Sequence, residues 1–167
     1  MEPAKNVRRH TISVWVDNIP GVLSRVTGLF SGRGFNIESL CVSETLDPTV
    51  SRITLVTTGD EFITEQIIKQ LRKLINTIKV VDLSEMEHVE REMALVTVKA
   101  EDKSRAEVLR IADIFRCRVV DVSPNSYTLE ITGNHEKIQA VLGLLKNHGI
   151  LDEVRSGALA IQRSKKV

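Results

Sequence analysis

The chain has 167 residues, 42% of them apolar and 27% charged, with a formal net charge of +1. This is the balance of a soluble globular protein, long enough for one ordinary domain or two small ones. It excludes nucleic-acid or anionic-membrane binding driven by bulk charge, and no apolar run nears the roughly 20 residues that a membrane span needs.

The opening "MEPAKNVRRH" lacks the apolar core of a secretory signal, so residues 1–9 read as a basic tail on a cytoplasmic protein. "HTISVWVD" alternates, with Ile12, Val14 and Val16 on one face, and predicts a strand. "PGVLSRVTGLFSG" sets Val22, Val26, Leu29 and Phe30 at helical spacing, with Pro20 in the first turn and Gly32 and Gly34 at the end. "FNIESLCVSE" and "VSRITLVTTG" read as a hairpin across "LDPT", where Pro48 cannot extend a ladder. "DEFITEQIIKQLRKLIN" predicts a helix with an Ile63, Ile67, Leu71, Leu74 stripe and acids at its start. "IKVVDLSE" is a fourth strand.

The polar, charge-alternating "EMEHVERE" reads as a linker, residues 85–93, and the order then recurs. "MALVTVKA" predicts a strand, and "KSRAEVLRIADIFR" a helix with Val108, Ile111, Ala112 and Phe115 inward. "CRVVDVS" and "SYTLEITG" form a hairpin across Pro124 and Asn125, "HEKIQAVLGLLKNHG" a helix, and "ILDEVRSGALAIQR" the closing segment. The chain is therefore α+β, two ferredoxin-like βαββαβ domains at residues 10–84 and 94–164. Each core is small, and the sheet faces away from the helices need cover. Leu40 and Val42 are expected on that face in the first half, which favours an oligomer.

No catalytic constellation emerges. The glycines of "GLFSGRG" end a helix, whereas a dinucleotide loop must open one, and no phosphate-loop lysine follows. His10, His88, His135 and His148 lack metal-ligand spacing and read as surface or capping residues, and Cys41 and Cys117 as buried reduced thiols. The loop "DNIPG" differs. The first N–H groups of a helix have no intrahelical partner and favour an anion. Pro20 donates nothing, so the donors fall on Gly21, Val22 and Leu23, and Gly21 lets a ligand approach the backbone. Asn18 either caps this helix or contacts a ligand.

"DNIPGVLSRVTGLFSGRGFNIESL" with "DPTVSRITLVTTGDE", continued by "HVEREMALVTVKA" and "FRCRVVDVSPNSYTLEITG", resembles the small regulatory subunit of acetohydroxyacid (acetolactate) synthase over residues 9–164. The resemblance implies that the first half is an ACT domain. ACT domains of this family pair in a homodimer and bind a feedback amino acid at the interface, usually valine, with leucine or isoleucine in some members. The matching ligand positions are Asn18, Pro20, Gly21 and Val22, with adjoining Leu23, from one chain and Asn36 and Ile37 from the other. It also implies a non-catalytic subunit without cofactor or metal. Its partner is a large catalytic subunit carrying thiamine diphosphate, Mg2+ and FAD, which this subunit activates in branched-chain amino-acid biosynthesis. An ACT-domain regulator without an enzyme partner is the alternative. An RNA-recognition domain shares the topology, but "RITLVTT" offers no aromatic for base stacking. A ferredoxin-like metal carrier would require CxxC.

Overall fold

A computed structural model describes residues 7–101 and 104–164. Most of the predicted tail, residues 1–6, lies outside the described residues. The elements are β1 (Arg8–Asp17), α1 (Val22–Ser31), β2 (Ser39–Glu44), β3 (Val50–Gly59), α2 (Glu61–Arg72) and β4 (Thr77–Asp82). Then follow β5 (His88–Lys99), α3 (Arg105–Ile114), β6 (Arg118–Ser123), β7 (Ser126–Gly133), α4 (His135–Lys146), β8 (Ile150–Arg155) and β9 (Leu159–Gln162). The chain forms two compact units whose described residues are 7–89 with 158–164, and 90–101 with 104–157.

In the first unit the antiparallel sheet runs β2-β3-β1-β4. Alternation in β1 and β3 sends Ile12, Val14, Val16, Ile53 and Leu55 into one core with Val22, Val26, Leu29 and Phe30 of α1 and Ile67 and Leu71 of α2. Both helices therefore pack on one face of the sheet. The second unit repeats the plan as β6-β7-β5-β8, with Val96, Val98, Leu129 and Ile131 beneath Val108, Ile111 and Ala112 of α3 and Ile138, Val141 and Leu145 of α4. The repeat reaches detail. The pairing of β1 with β4 slips between Trp15 and Val16, and that of β5 with β8 between Thr97 and Val98. A glycine and a cap precede the second helix of each unit: Asp60 accepts from the Ile63 N–H, and Asn134 from the Lys137 N–H. A Cβ at Gly59 would lie 3.0 Å from Ile63, and one at Gly133 2.5 Å from Lys137, so a side chain at either position requires its neighbour to shift.

Several expectations are corrected. Pro20 and Gly21 form a turn before α1, which starts at Val22. β2 starts at Ser39, so Asn36 and Ile37 precede the strand. β5 starts at His88, inside the polar segment expected to link the halves. β1 starts at Arg8, because Arg8 and Arg9 still pair with Gly59 and Thr58. Leu40 and Val42 pair with the core residues Leu55 and Ile53, so they face the helices rather than the open side. The cysteines are free but only half-buried, and burial raises the Cys117 thiol pKa. His10 is buried, 1% exposed, not a surface residue.

The segment Ile150–Arg163 divides. β8 pairs with β5 through Ala94–Val98, whereas β9 belongs to the first unit. There the Ala158 N–H donates to Ser39 Oγ at 2.9 Å, and Arg52 Nη2 donates to the Ala160 carbonyl at 2.7 Å. Ser39 and Arg52 point away from the helices, so Ala158 and Ala160 lie over the open face of the first sheet. Arg52 also stacks over Trp15 at 4.5 Å on that face.

Candidate functional site

The corner between β1 and α1 is held by two segments that meet it, the β2–β3 turn and the residue before β4. The Asn18 N–H donates to the Thr49 carbonyl at 2.8 Å, and its side-chain Nδ2 donates to the Pro48 carbonyl at 2.9 Å. Asn18 thus ties the loop to the β2–β3 turn and does not cap α1. The N-cap is Gly21, at φ 85°, a left-handed conformation that suits glycine and is strained for most side chains. Among the described residues no side-chain cap bond is made at the start of α1, and its first turn holds no acid. The Val22 N–H meets only the Ile19 carbonyl, at 3.5 Å, a weak contact. A helix start in this state presents positive potential and incompletely used donors to solvent.

The turn faces open space at Gly21, where a Cβ would meet nothing within 4 Å. Ile19 and Leu23 are exposed beside the turn, whereas the Val22 side chain is buried and can offer only its backbone. Sequence reasoning missed the support beneath the corner. Asn76, just before β4, donates from Nδ2 to Asp17 Oδ2 at 2.9 Å, accepts from the Arg25 guanidinium, and takes the Asp17 N–H at 3.0 Å on its carbonyl. A lone Asn between a helix and a strand gives no sequence signal for this role. In the adjoining turn, Asp47 accepts from the Thr49 hydroxyl at 2.7 Å and the Thr49 N–H at 2.9 Å, and these bonds hold its carboxyl below the usual pKa.

Asn36 and Ile37 lie elsewhere in the unit. The Asn36 carbonyl accepts from Thr57 Oγ1 at 2.6 Å, near the end of β3, and Ile37 packs against the core. Asn18 sits at the beginning of β3. From Val50 to Thr57 is seven strand steps, ~23 Å at ~3.3 Å per residue. One chain therefore brings Asn18, Pro20, Gly21, Val22 and Leu23 together and leaves Asn36 and Ile37 at the far end of the sheet. A surface depression lined by Glu87, His88, Val89, Ile161 and Arg163 includes none of these residues. Among the described residues no helix is long and apolar enough to cross a membrane.

The first unit is a ferredoxin-like βαββαβ domain with an open helix start after its first strand, a plan that ACT domains share. The comparisons agree and are narrower. A family described as AHAS small subunit-like ACT domain matches residues 12–79, and one described as small subunit of acetolactate synthase matches residues 91–164. The acetolactate synthase small subunit of Haemophilus influenzae is 50% identical, the match covering 95% of this chain and 98% of the relative. That of Aquifex aeolicus is 49% identical, covering 96% and 84%. The crystal structure of the acetolactate synthase small subunit from Thermotoga maritima superposes with a TM-score of 0.84 at 39% identity, covering 95% of this chain and 99% of that one. The chain belongs to the acetolactate synthase small-subunit family.

Proposed function

We propose that this chain is a regulatory subunit that activates the catalytic large subunit of an acetolactate synthase and subjects it to feedback inhibition by valine, or by leucine or isoleucine. The reaction chemistry, with its thiamine diphosphate, Mg2+ and FAD, belongs to the large subunit. The amino acid binds between the ACT domains of a homodimer. Its carboxylate takes the N–H groups at the start of α1, beside Asn18 and Gly21, and its side chain lies against apolar groups such as Ile19, Leu23 and the partner copy's counterpart of Ile37.

One observation carries this reading: the bare start of α1 and the Asn36–Ile37 segment lie ~23 Å apart within a chain. No free amino acid spans that distance, so shared contacts need a second copy. β2 is an edge strand, and antiparallel pairing of β2 with its symmetry mate would reverse one sheet against the other. The start of β2 in one copy would then meet the end of β2 in its mate, which is the end where Pro48 and Asn18 lie.

The dimer has two arrangements, only one of which fits the large subunit productively. The amino acid favours the other and shifts the balance only by its difference in affinity, typically about 1–3 kcal/mol. By linkage, the large subunit weakens amino-acid binding to the same extent. The test is a synthase assay of the large subunit with and without this chain, titrated with valine, leucine and isoleucine. The reading expects activation by the chain and inhibition that appears only in its presence. Unchanged large-subunit activity would instead favour a regulator without an enzyme partner.

A further inference from the structure

We infer that His10, Asp82 and Glu85 form a site for a divalent transition-metal ion of the zinc class in the first unit. Ile12 pairs with Asp82 across the β1–β4 ladder. His10, two residues earlier on the same face, is therefore the diagonal neighbour of Asp82. Its Nδ1 lies 3.6 Å from Asp82 Oδ2, too far for a good hydrogen bond. His10 is 1% exposed, and among the described residues neither ring nitrogen has a hydrogen-bond partner. Buried imidazoles are normally satisfied, so this one requires a reason. Glu85 supplies a third donor, and one donor atom from each residue lies within 4.8 Å of the others.

The backbone presets the two acids. The Ser84 N–H donates to Asp82 Oδ1 at 2.9 Å, and Ser84 Oγ accepts from the Thr11 N–H at 2.8 Å. The Leu83 N–H donates to the Thr11 carbonyl at 2.9 Å, and the Met86 N–H to the Leu83 carbonyl at 3.0 Å. The turn is thus pinned to β1 through Leu83 and Ser84, the two residues that follow Asp82. Tetrahedral ligands at zinc bond lengths of about 2.0–2.1 Å sit about 3.3 Å apart. Reaching that spacing asks mainly for a rotation of Glu85, whose side chain is 55% exposed.

One imidazole nitrogen and two carboxylate oxygens suit Zn2+ and its neighbours and disfavour Mg2+ and Ca2+, which take oxygen-only shells. Three protein ligands leave a fourth position for water. The cation would displace the Arg8 guanidinium from Glu85. Arg8 has an alternative acceptor, since Glu61 lies 3.7 Å from the same Nη2. An ion here would join the start of β1, the end of β4 and the turn that leads to β5.

The test uses the full-length chain, stripped with chelator and titrated with ZnCl2 and separately with MgCl2, followed by calorimetry and thermal melts. The wild type should take up Zn2+ saturably with a rise in Tm of several degrees, and MgCl2 should do neither. Glu85→Gln should weaken that event at least tenfold, and His10→Gln should abolish it. Absence of saturable uptake in the wild type, or the same Kd in the wild type and Glu85→Gln, would overturn the site. Glu85→Gln changes an exposed side chain and decides the matter even if His10→Gln fails to fold. Uptake at other histidines or cysteines would persist unchanged in both variants.

Discussion

The two units share their strand order and the position of a register slip, yet differ at the corner where the first strand passes to the first helix. In the first unit Asn18 bonds the Pro48 carbonyl, and the start of α1 has neither cap nor acid. In the second unit the same kind of turn carbonyl, that of Pro124, accepts from Arg105 Nη2 at 2.6 Å, while the guanidinium lies over Tyr127. Glu107 adds a negative charge in the first turn of α3. Among the described residues, the second corner holds a guanidinium and an acid within the first three residues of its helix, and the first holds neither there. The repeated pattern of apolar residues sets the topology, and a few polar residues set the two corners apart.

The largest asymmetry is in the second unit. Glu92 is 5% exposed and accepts two guanidinium bonds from Arg155, at 2.6 and 2.7 Å. The same pairing raises the Arg155 pKa. Arg155→Ala would strand a buried carboxylate, a change that destabilises by about 3 kcal/mol. In the first unit the i,i+4 pair Glu65–Lys69 is solvent-exposed, and Lys69→Ala should change stability by no more than about 0.5 kcal/mol. Urea denaturation of both variants measures the contrast. Equal effects would mean that the buried bidentate pair is no stronger than a surface one.

Next in size is the open corner. Gly21→Asp and Gly21→Asn meet the same left-handed backbone, which Asp and Asn tolerate better than other side chains, and neither Cβ meets an atom within 4 Å. Only Asp adds a negative charge where the ligand carboxylate is proposed to sit. Valine inhibition of the reconstituted synthase should be at least tenfold weaker in Gly21→Asp than in Gly21→Asn, with activation retained in both. Equal inhibition would place the ligand elsewhere.

A smaller contrast separates the helix starts. Asp60 and Asn134 accept cap bonds at 2.8 and 3.1 Å, while Ser104 makes no cap bond to α3. Asp60→Ala and Asn134→Ala should each cost about 1 kcal/mol, and Ser104→Ala less than about 0.5 kcal/mol. Equilibrium denaturation of the three variants gives the ranking, and a Ser104→Ala loss equal to the other two would contradict it.

The order of elements was legible because apolar periodicity is local: Val22, Val26, Leu29 and Phe30 announce a helix face, and all four are buried. Facing was harder. Leu40 and Val42 were expected on the open side, but the register with β3 turns them to the helices, and register is a long-range property. The return of Ala158–Gln162 to the first unit leaves no periodic trace either, because four residues of strand carry too little pattern. At the corner, the sequence indicated Gly21 and the helix start. Which acceptor Asn18 would choose, and the Asp17–Asn76–Arg25 network beneath it, depend on strands meeting from distant parts of the chain. His10 was misread because a histidine in an alternating segment shows its residue type but not whether tertiary neighbours bury it.

The finest contrast lies in the two hairpin turns. The first carries Asp47, which accepts two bonds from Thr49, whereas the second, Pro124–Asn125, carries no acid. Those bonds lower the folded-state pKa of Asp47 below its unfolded value. The unfolded chain therefore binds the proton more readily, and the stabilising contribution is complete above the unfolded pKa of about 4. It is lost as pH falls through the lower, folded value. Asp47→Asn should thus lower Tm slightly at pH 7, and the gap to wild type should close with acidification below about pH 4. Asn125→Ala in the other turn should show no such pH-dependent gap. Thermal melts of both variants from pH 7 to pH 3 measure this, and a gap for Asp47→Asn that widens on acidification would reverse the sign assigned to the turn carboxylate.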